Sequence, residues 1–313
     1  MSDIVLRAVT KTYPRKGKEP VRAVDNLDLT IPDGGIFGLL GPNGAGKTTI
    51  IKMICGLILP DSGEVRIGDI DVNRQRRRAM GRIGVVLEGT RNIYWRLSPW
   101  ENLMYFARLK GIPGRHVADR AERLLSELDL WDRRKEKVRT FSRGMQQKVA
   151  IACALIGDPD IILLDEPTLG PDVQASRIVQ EWVFQLGREQ GKTVILTTHQ
   201  LPVAQQLCTR IAIIREGRVI ANEPTAKLLK RFEDDYYKIR LQGTLPEALA
   251  AQLGSFTAHF EDGQTILTGH LRDGLELYPL LEKYHAAGLP LISVSRNEED
   301  LEDIFIRLVE TQP

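Results

Sequence analysis

The sequence predicts an α/β protein with a largely parallel sheet, an inserted helical subdomain and a small C-terminal α+β module. Three observations carry this reading. Up to about residue 225, short β-rich runs alternate with helical patterns, the order that buries a parallel sheet between helices. Between about 98 and 157 the pattern is helical throughout. From about 235 the composition changes, and the pattern becomes strand, helix, hairpin, helix, strand, helix.

The first unit to read clearly is "GIFGLL" (35–40), then "GPNGAGKTT" (41–49), then "IIKMICGLI" (50–58), where Ile50, Ile51, Ile54 and Leu57 recur at helical spacing. That is strand, glycine loop, helix. The run "IGVVLEGTRN" (83–92) is strand-like and stops at a carboxylate, Glu88. In the helical stretch, Ser98, Pro99 and Glu101 spell a capping box with proline at the first helical position, and "ADRAERLLSELDL" carries an amphipathic stripe. Strands resume with "DIILLDEP" (160–167) and "TVILTTH" (193–199), separated by a helix that Gly191 closes. "IAIIREGRVIAN" is a hairpin turning at Glu216 and Gly217. Beyond it, "YYKIRLQ", "LPEALAAQL", the hairpin "FTAHFEDGQTILTGHL" turning at Asp262 and Gly263, "LELYPLLEKYHAAG", "PLISVSR" and "DLEDIFIRLVE" follow. This β-α-β-β-α-β order reads as a ferredoxin-like module. The expected domains are 1–230 and 235–313.

Composition excludes several classes. The chain has 313 residues, a formal net charge of +2 and 27% charged residues, so no global charge drives it towards nucleic acid. Apolar runs such as "VAIACALI" fall far short of the ~18 residues a membrane span needs. The early Asp3 and the lack of an apolar leader argue against a signal peptide. Cys55, Cys153 and Cys208 are odd in number, dispersed and set among apolar residues, which suits buried free thiols in a reducing cytoplasm.

The chemistry begins at "GPNGAGKT", which satisfies G-x-x-x-x-G-K-[ST] with Gly41, Gly46, Lys47 and Thr48. Gly41, Gly44 and Gly46 let consecutive N–H groups turn inward on phosphate oxygens, and the following helix adds its positive N-terminal dipole. The candidate nucleotide-binding set is Gly41, Pro42, Asn43, Gly44, Ala45, Gly46, Lys47, Thr48 and Thr49, with Lys47 on the β- and γ-phosphates and Thr48 on Mg²⁺. "IILLDEP" ends an apolar strand in two acids. Asp165 would enter the Mg²⁺ shell and Glu166 would polarise the attacking water.

Together with "FSRGMQQKVAIACAL" (141–155) and a strand ending in His199, these motifs resemble the ATPase subunit of an ATP-binding cassette (ABC) transporter over about residues 3–225. The chain is most similar to exporter-type subunits that pair with a separate permease and carry a short C-terminal extension. The resemblance implies a head-to-tail dimer with two ATP molecules, each between one subunit's glycine loop and the other's signature residues, here Ser142, Arg143, Gly144 and Met145. It also implies Tyr13 on adenine, His199 on the γ-phosphate, and Gly170 and Asp172 in a loop touching the partner. Phe141, Arg143 and Met145 depart from the usual Leu, Gly and Gln, Pro171 and Val173 from the usual Leu and Pro, and Cys153 stands where many members have Arg.

Glu88 stands where the family generally has Gln. Two carboxylates about 4 Å apart at an effective dielectric near 20 repel by roughly 4 kcal/mol, so metal would be needed to draw Glu88 towards Asp165 and Glu166. Glu88 is therefore a candidate metal ligand, the competing reading being an ion pair with Arg91 or Arg96.

The expected function is a peripheral ATPase on the cytoplasmic face of the membrane. It would use ATP and Mg²⁺, partner a permease and a second cassette, and bind no nucleic acid. "NIYWRLSPWENL", with Tyr94, Trp95 and Trp100, suits either a docking surface or core. The alternative is a soluble cassette ATPase acting on nucleic acid or the ribosome through Arg74, Arg76, Arg77 and Arg78. A third reading treats the C-terminal module as a ligand-sensing regulator.

Overall fold

Two long antiparallel strands open the chain, where the sequence pattern pointed only to a largely parallel sheet. The computed structural model describes residues 3–87, 89, 92–167, 173–231, 236–250, 253–271, 274–296 and 301–310. β1 (Ile4–Arg15) and β2 (Lys18–Ile31) form a hairpin. Val24, Leu27, Leu29 and Ile31 are buried on β2, alternating with exposed residues except where the chain bulges at Asn26 (φ 45°). After β3 (Gly35–Leu40) and α1 (Lys47–Ile54), β4 (Ser62–Ile67) and β5 (Ile70–Asp71) extend this sheet in the order β2-β1-β4-β5.

α1 is shorter than the apolar spacing predicted. It ends at Ile54, Gly56 takes φ 59°, and Leu57 is left 47% exposed beyond the helix. A left-handed glycine ends a helix regardless of the apolar pattern that follows.

α2 (Arg76–Gly81) leads into β6 (Ile83–Val86). Between β6 and its neighbour β7 (Ile161–Asp165) lie α3 (Pro99–Leu109), α4 (Gly114–Glu127) and α5 (Arg143–Leu155). The capping box of α3 forms as its residues dictate: Ser98 Oγ accepts from Glu101 N at 3.2 Å and Glu101 Oε2 accepts from Ser98 N at 2.8 Å. α6 (Val173–Phe184) then passes into a π-helical turn over 185–189 that the sequence reading did not anticipate. There Gly187 crosses β3 so closely that a Cβ would stand 2.3 Å from Ile36 Cγ1.

β8 (Thr193–Thr197), α7 (Leu201–Leu207), β9 (Arg210–Arg215) and β10 (Arg218–Pro224) complete a sheet of order β10-β9-β3-β8-β7-β6. All its pairs are parallel except the β9–β10 hairpin. β7 and β8 are buried along their whole lengths, which is why both read as unbroken apolar runs. The loop after β3, Asp165, Thr197 and Leu87 therefore all fall at the carboxyl edge of one sheet, where open α/β sheets bind ligands.

The chain divides into compact units at 1–225 and 226–313, with α8 (Thr225–Arg231) at the junction. The second unit contains β11 (Tyr236–Gln242), α9 (Glu247–Ala250), β12 (Phe256–Glu261), β13 (Gln264–His270), α10 (Leu277–Ala286), β14 (Leu291–Arg296) and α11 (Leu301–Glu310). Its sheet has the order β12-β13-β11-β14 with every pair antiparallel, over a core that includes Ile239, Leu241, Phe256, Leu267 and Tyr284. Among the described residues no helix is long and apolar enough to cross a membrane.

Candidate functional site

The loop between β3 and α1 is shaped by what surrounds it. At Gly41 a Cβ would stand 2.2 Å from Ile214 O, and at Gly46 (φ 107°) it would stand 2.3 Å from Ala23 O. Glycine is thus required twice by backbone crowding, and at Gly46 by conformation as well. The β9–β10 turn supports the loop from below: Gly217 N donates to Ala45 O at 3.0 Å. Sequence reasoning found that turn without linking it to the loop, since nothing local in either segment names the other.

Lys47 is 8% exposed, and its ammonium donates to Gly41 O at 2.7 Å and Pro42 O at 3.1 Å. The cation is held over the loop instead of reaching into solvent. Thr48 Oγ1 donates to Asp165 Oδ2 at 3.1 Å, and Thr197 Oγ1 donates to Asp165 Oδ1 at 2.6 Å. Asp165 is 2% exposed, so both oxygens of a buried carboxylate rest on hydroxyls. This donor set fits a hard divalent cation: a carboxylate and a hydroxyl in contact are the two protein ligands Mg²⁺ takes beside substrate phosphates. Among the described residues no cluster of three or more His, Cys, Asp or Glu could hold a metal ion unaided.

Glu166 adopts φ 52°, a left-handed conformation that costs a non-glycine residue about 1 kcal/mol. The turn is held by Glu166 N, which donates to Thr197 O at 3.1 Å and Thr197 Oγ1 at 3.0 Å. It brings Glu166 Oε2 to 2.9 Å from His199 Nδ1. The carboxylate side chain is 10% exposed and the imidazole 51%. His199 lies two residues beyond the end of β8, where the sequence reading had the strand reach it.

A cleft of about 320 Å³ is lined by Ala23, 43–49, Asp165 and Glu166. Gly41 and Pro42 lie at its base through Lys47, and His199 meets it through Glu166. Tyr13 is not among the lining residues; it is half-buried on β1, its ring 5.9 Å from Lys11 Nζ. Sequence reasoning missed Ala23 and Thr197. The only trace of Thr197 was a hydroxyl ending an apolar strand.

Ser142 caps α5 by accepting from Met145 N at 3.3 Å, and with Arg143 it is exposed; Gly144 is buried and Met145 half-buried. None of the four lines the cleft of its own chain. Glu88, with Arg91 and the loop residues Gly170, Pro171 and Asp172, lies outside the described residues. Just beyond, Asn92 Oδ1 accepts from Leu87 N at 3.2 Å and Asn92 Nδ2 donates to Leu87 O. In the aromatic segment, Tyr94 and Trp95 are 48% and 46% exposed, whereas Trp100 is half-buried edge-on to Trp131. Cys55, Cys153 and Cys208 are buried and free.

Comparison with known proteins accords with this geometry. Residues 24–169 match the family model for the ABC transporter, and 236–295 match a domain of unknown function, DUF8691. The daunorubicin/doxorubicin resistance ATP-binding protein DrrA of Streptomyces peucetius is 35% identical over 313 residues, spanning 96% of this chain and 92% of that one. The ABC transporter ATP-binding protein NatA of Bacillus subtilis (strain 168) is 43% identical over 203 residues, 65% of this chain and 82% of that one. Among solved structures, a dimeric post-hydrolysis state of the ATP-binding cassette MJ0796 bound to ADP and Pi matches with a TM-score of 0.63 at 32% identity, over 71% of this chain and 98% of that chain. Because the likeness to DrrA runs through both units, the chain belongs to the ATP-binding subunits of ABC transporters, the ATPases that power a separate membrane permease.

Proposed function

We propose that this subunit binds ATP and Mg²⁺ in the 320 Å³ cleft and drives an export permease from the cytoplasmic face of the membrane. The observation that carries the reading is the buried Asp165 held by Thr48 and Thr197 at the same sheet edge as the glycine loop. The resistance named for DrrA supports export.

In this reading the N–H groups of 43–49 and the dipole of α1 bind the phosphates, and Lys47 transfers its ammonium from loop carbonyls to the β- and γ-phosphate oxygens. Thr48 and Asp165 would hold Mg²⁺, which would supply neutralisation of phosphate charge. Glu166 accepts a proton from the attacking water, and His199 orients Glu166 and contacts the γ-phosphate. Tyr13 stacks on adenine. Ser142, Arg143, Gly144 and Met145 close over the partner subunit's nucleotide in a head-to-tail dimer with a second cassette, either a copy of this chain or a related one. Glu88 would serve as a further ligand of that cation. The exposed Tyr94 and Trp95 receive the permease.

The boundaries proposed are a cassette over 1–230 and a ferredoxin-like regulator over 235–313, supported by the β-α-β-β-α-β order and the antiparallel sheet of the second unit. Removing 235–313 should alter dimerisation, regulation or transport; no change in any of them removes the regulator role. The nucleic-acid alternative is not favoured: Arg74 and Arg78 are paired with Asp71 and Asp69 at 3.5 and 3.1 Å. ATPase assays of purified protein, with and without the membrane subunit that copurifies, test the whole reading. Hydrolysis is expected in at least one, and none in either would sink it.

A further inference from the structure

We infer that Arg133 is a positioning residue for the Ser142 site, an inference that rests on the head-to-tail dimer proposed above. Its guanidinium grips both sides of the helix cap. Cζ lies 4.8 Å from the centroid of the Phe141 ring, one residue before Ser142, and Nη1 lies 3.3 Å from Met145 Sδ. Met145 is the residue whose N–H the Ser142 hydroxyl accepts. Nε and Nη2 fork onto Glu136 at 3.0 and 2.6 Å, which fixes the plane of the guanidinium.

These contacts exist because of the departures noted in the signature. Leucine at 141 would offer no π face to a cation, and glutamine at 145 no soft sulfur. The two replacements thus read as one device, with Arg133 as its third member. Because Glu136 neutralises and orients it, Arg133 acts on Ser142 through Phe141 and Met145 and does not reach for phosphate itself. The start of α5 has a second tie, Gln146 Nε2 donating to Val138 O and Phe141 O at 3.3 and 3.1 Å, so the helix survives loss of Arg133.

The test uses the full chain carrying Glu166→Gln to retain ATP. ATP-induced dimerisation is followed by sedimentation, and monomer affinity by a fluorescent ATP analogue. Arg133→Ala and Arg133→Lys should each weaken dimerisation about tenfold, two sites per dimer each losing a partly buried cation–π contact, with monomer affinity unchanged. Lysine fails because it has no planar fork to hold on Glu136 while lying over the ring. Phe141→Leu should produce a similar loss, and adding Arg133→Ala to it should cost less than twofold more. Parental dimerisation matched by either Arg133 variant overturns the inference and leaves the dimer reading intact. A parent that does not dimerise with ATP removes the dimer reading and the inference with it.

Discussion

Thr197 Oγ1 donates a 2.6 Å hydrogen bond to Asp165 Oδ1 and accepts one from Glu166 N at 3.0 Å. One fully buried hydroxyl therefore orients both acids of the site. Thr197→Val keeps the shape and removes the bonds, leaving a buried carboxylate oxygen short of a donor. The expected loss is about 1–3 kcal/mol of stability by urea unfolding, together with reduced hydrolysis. Thr197→Ser should restore most of both, since it returns the hydroxyl.

Glu166, the proposed base, is held by its left-handed turn and by His199. Glu166→Gln preserves volume and removes the base. Hydrolysis should fall by about 10²–10⁴-fold while ATP affinity is retained. Loss of affinity in parallel with turnover would assign Glu166 to binding instead.

Two glycines of the same loop should respond differently. Gly46→Ala places a Cβ 2.3 Å from Ala23 O, and nucleotide binding should be lost in a fluorescent-analogue titration. Gly44 (φ 82°) faces open space, so Gly44→Ala should cost only about 1 kcal/mol of conformational strain. Equal effects would show that space at Gly46 is not what glycine provides.

The buried thiols make the protein sensitive to alkali. Burial pushes Cys55 up to about 12, with the Asp165 charge adding to it, and Cys208 up to about 12, with Arg188 partly opposing; burial raises Cys153 as well. The folded state keeps protons that the unfolded chain releases from about pH 9, so stability is full below that pH and falls as pH rises towards 12. The slope is about 1.4 kcal/mol per pH unit for each thiol. Urea unfolding at pH 8, 9 and 10 checks it, and an identical midpoint at all three would contradict the burial.

Glu88→Gln separates the two readings of that carboxylate. A metal role predicts a shifted Mg²⁺ dependence of hydrolysis, because one negative ligand becomes neutral. An unchanged dependence would instead favour pairing with Arg91 or Arg96.

What the sequence determined by itself was whatever a few consecutive residues suffice to specify. The Ser98–Glu101 capping box, the Glu216–Gly217 turn and the apolar strand ending in Asp165 all depend on interactions within about four residues or on burial along one strand; the glycine spacing at 41–46 is legible as a pattern, although distant backbone, Ile214 O and Ala23 O, is what excludes a side chain there. The same locality misled where a single residue overrode a period, as when Gly56 stopped α1 short of Leu57. The tertiary structure alone decided which distant residues meet. The β7–β8 register sets Thr197 beside Asp165, the β9–β10 turn comes under Ala45, Ala23 completes the cleft, and Arg133 finds both Phe141 and Met145. Each of these contacts joins segments whose own patterns are satisfied without the other. Only the packing of the sheets and helices brings them within hydrogen-bonding or van der Waals reach.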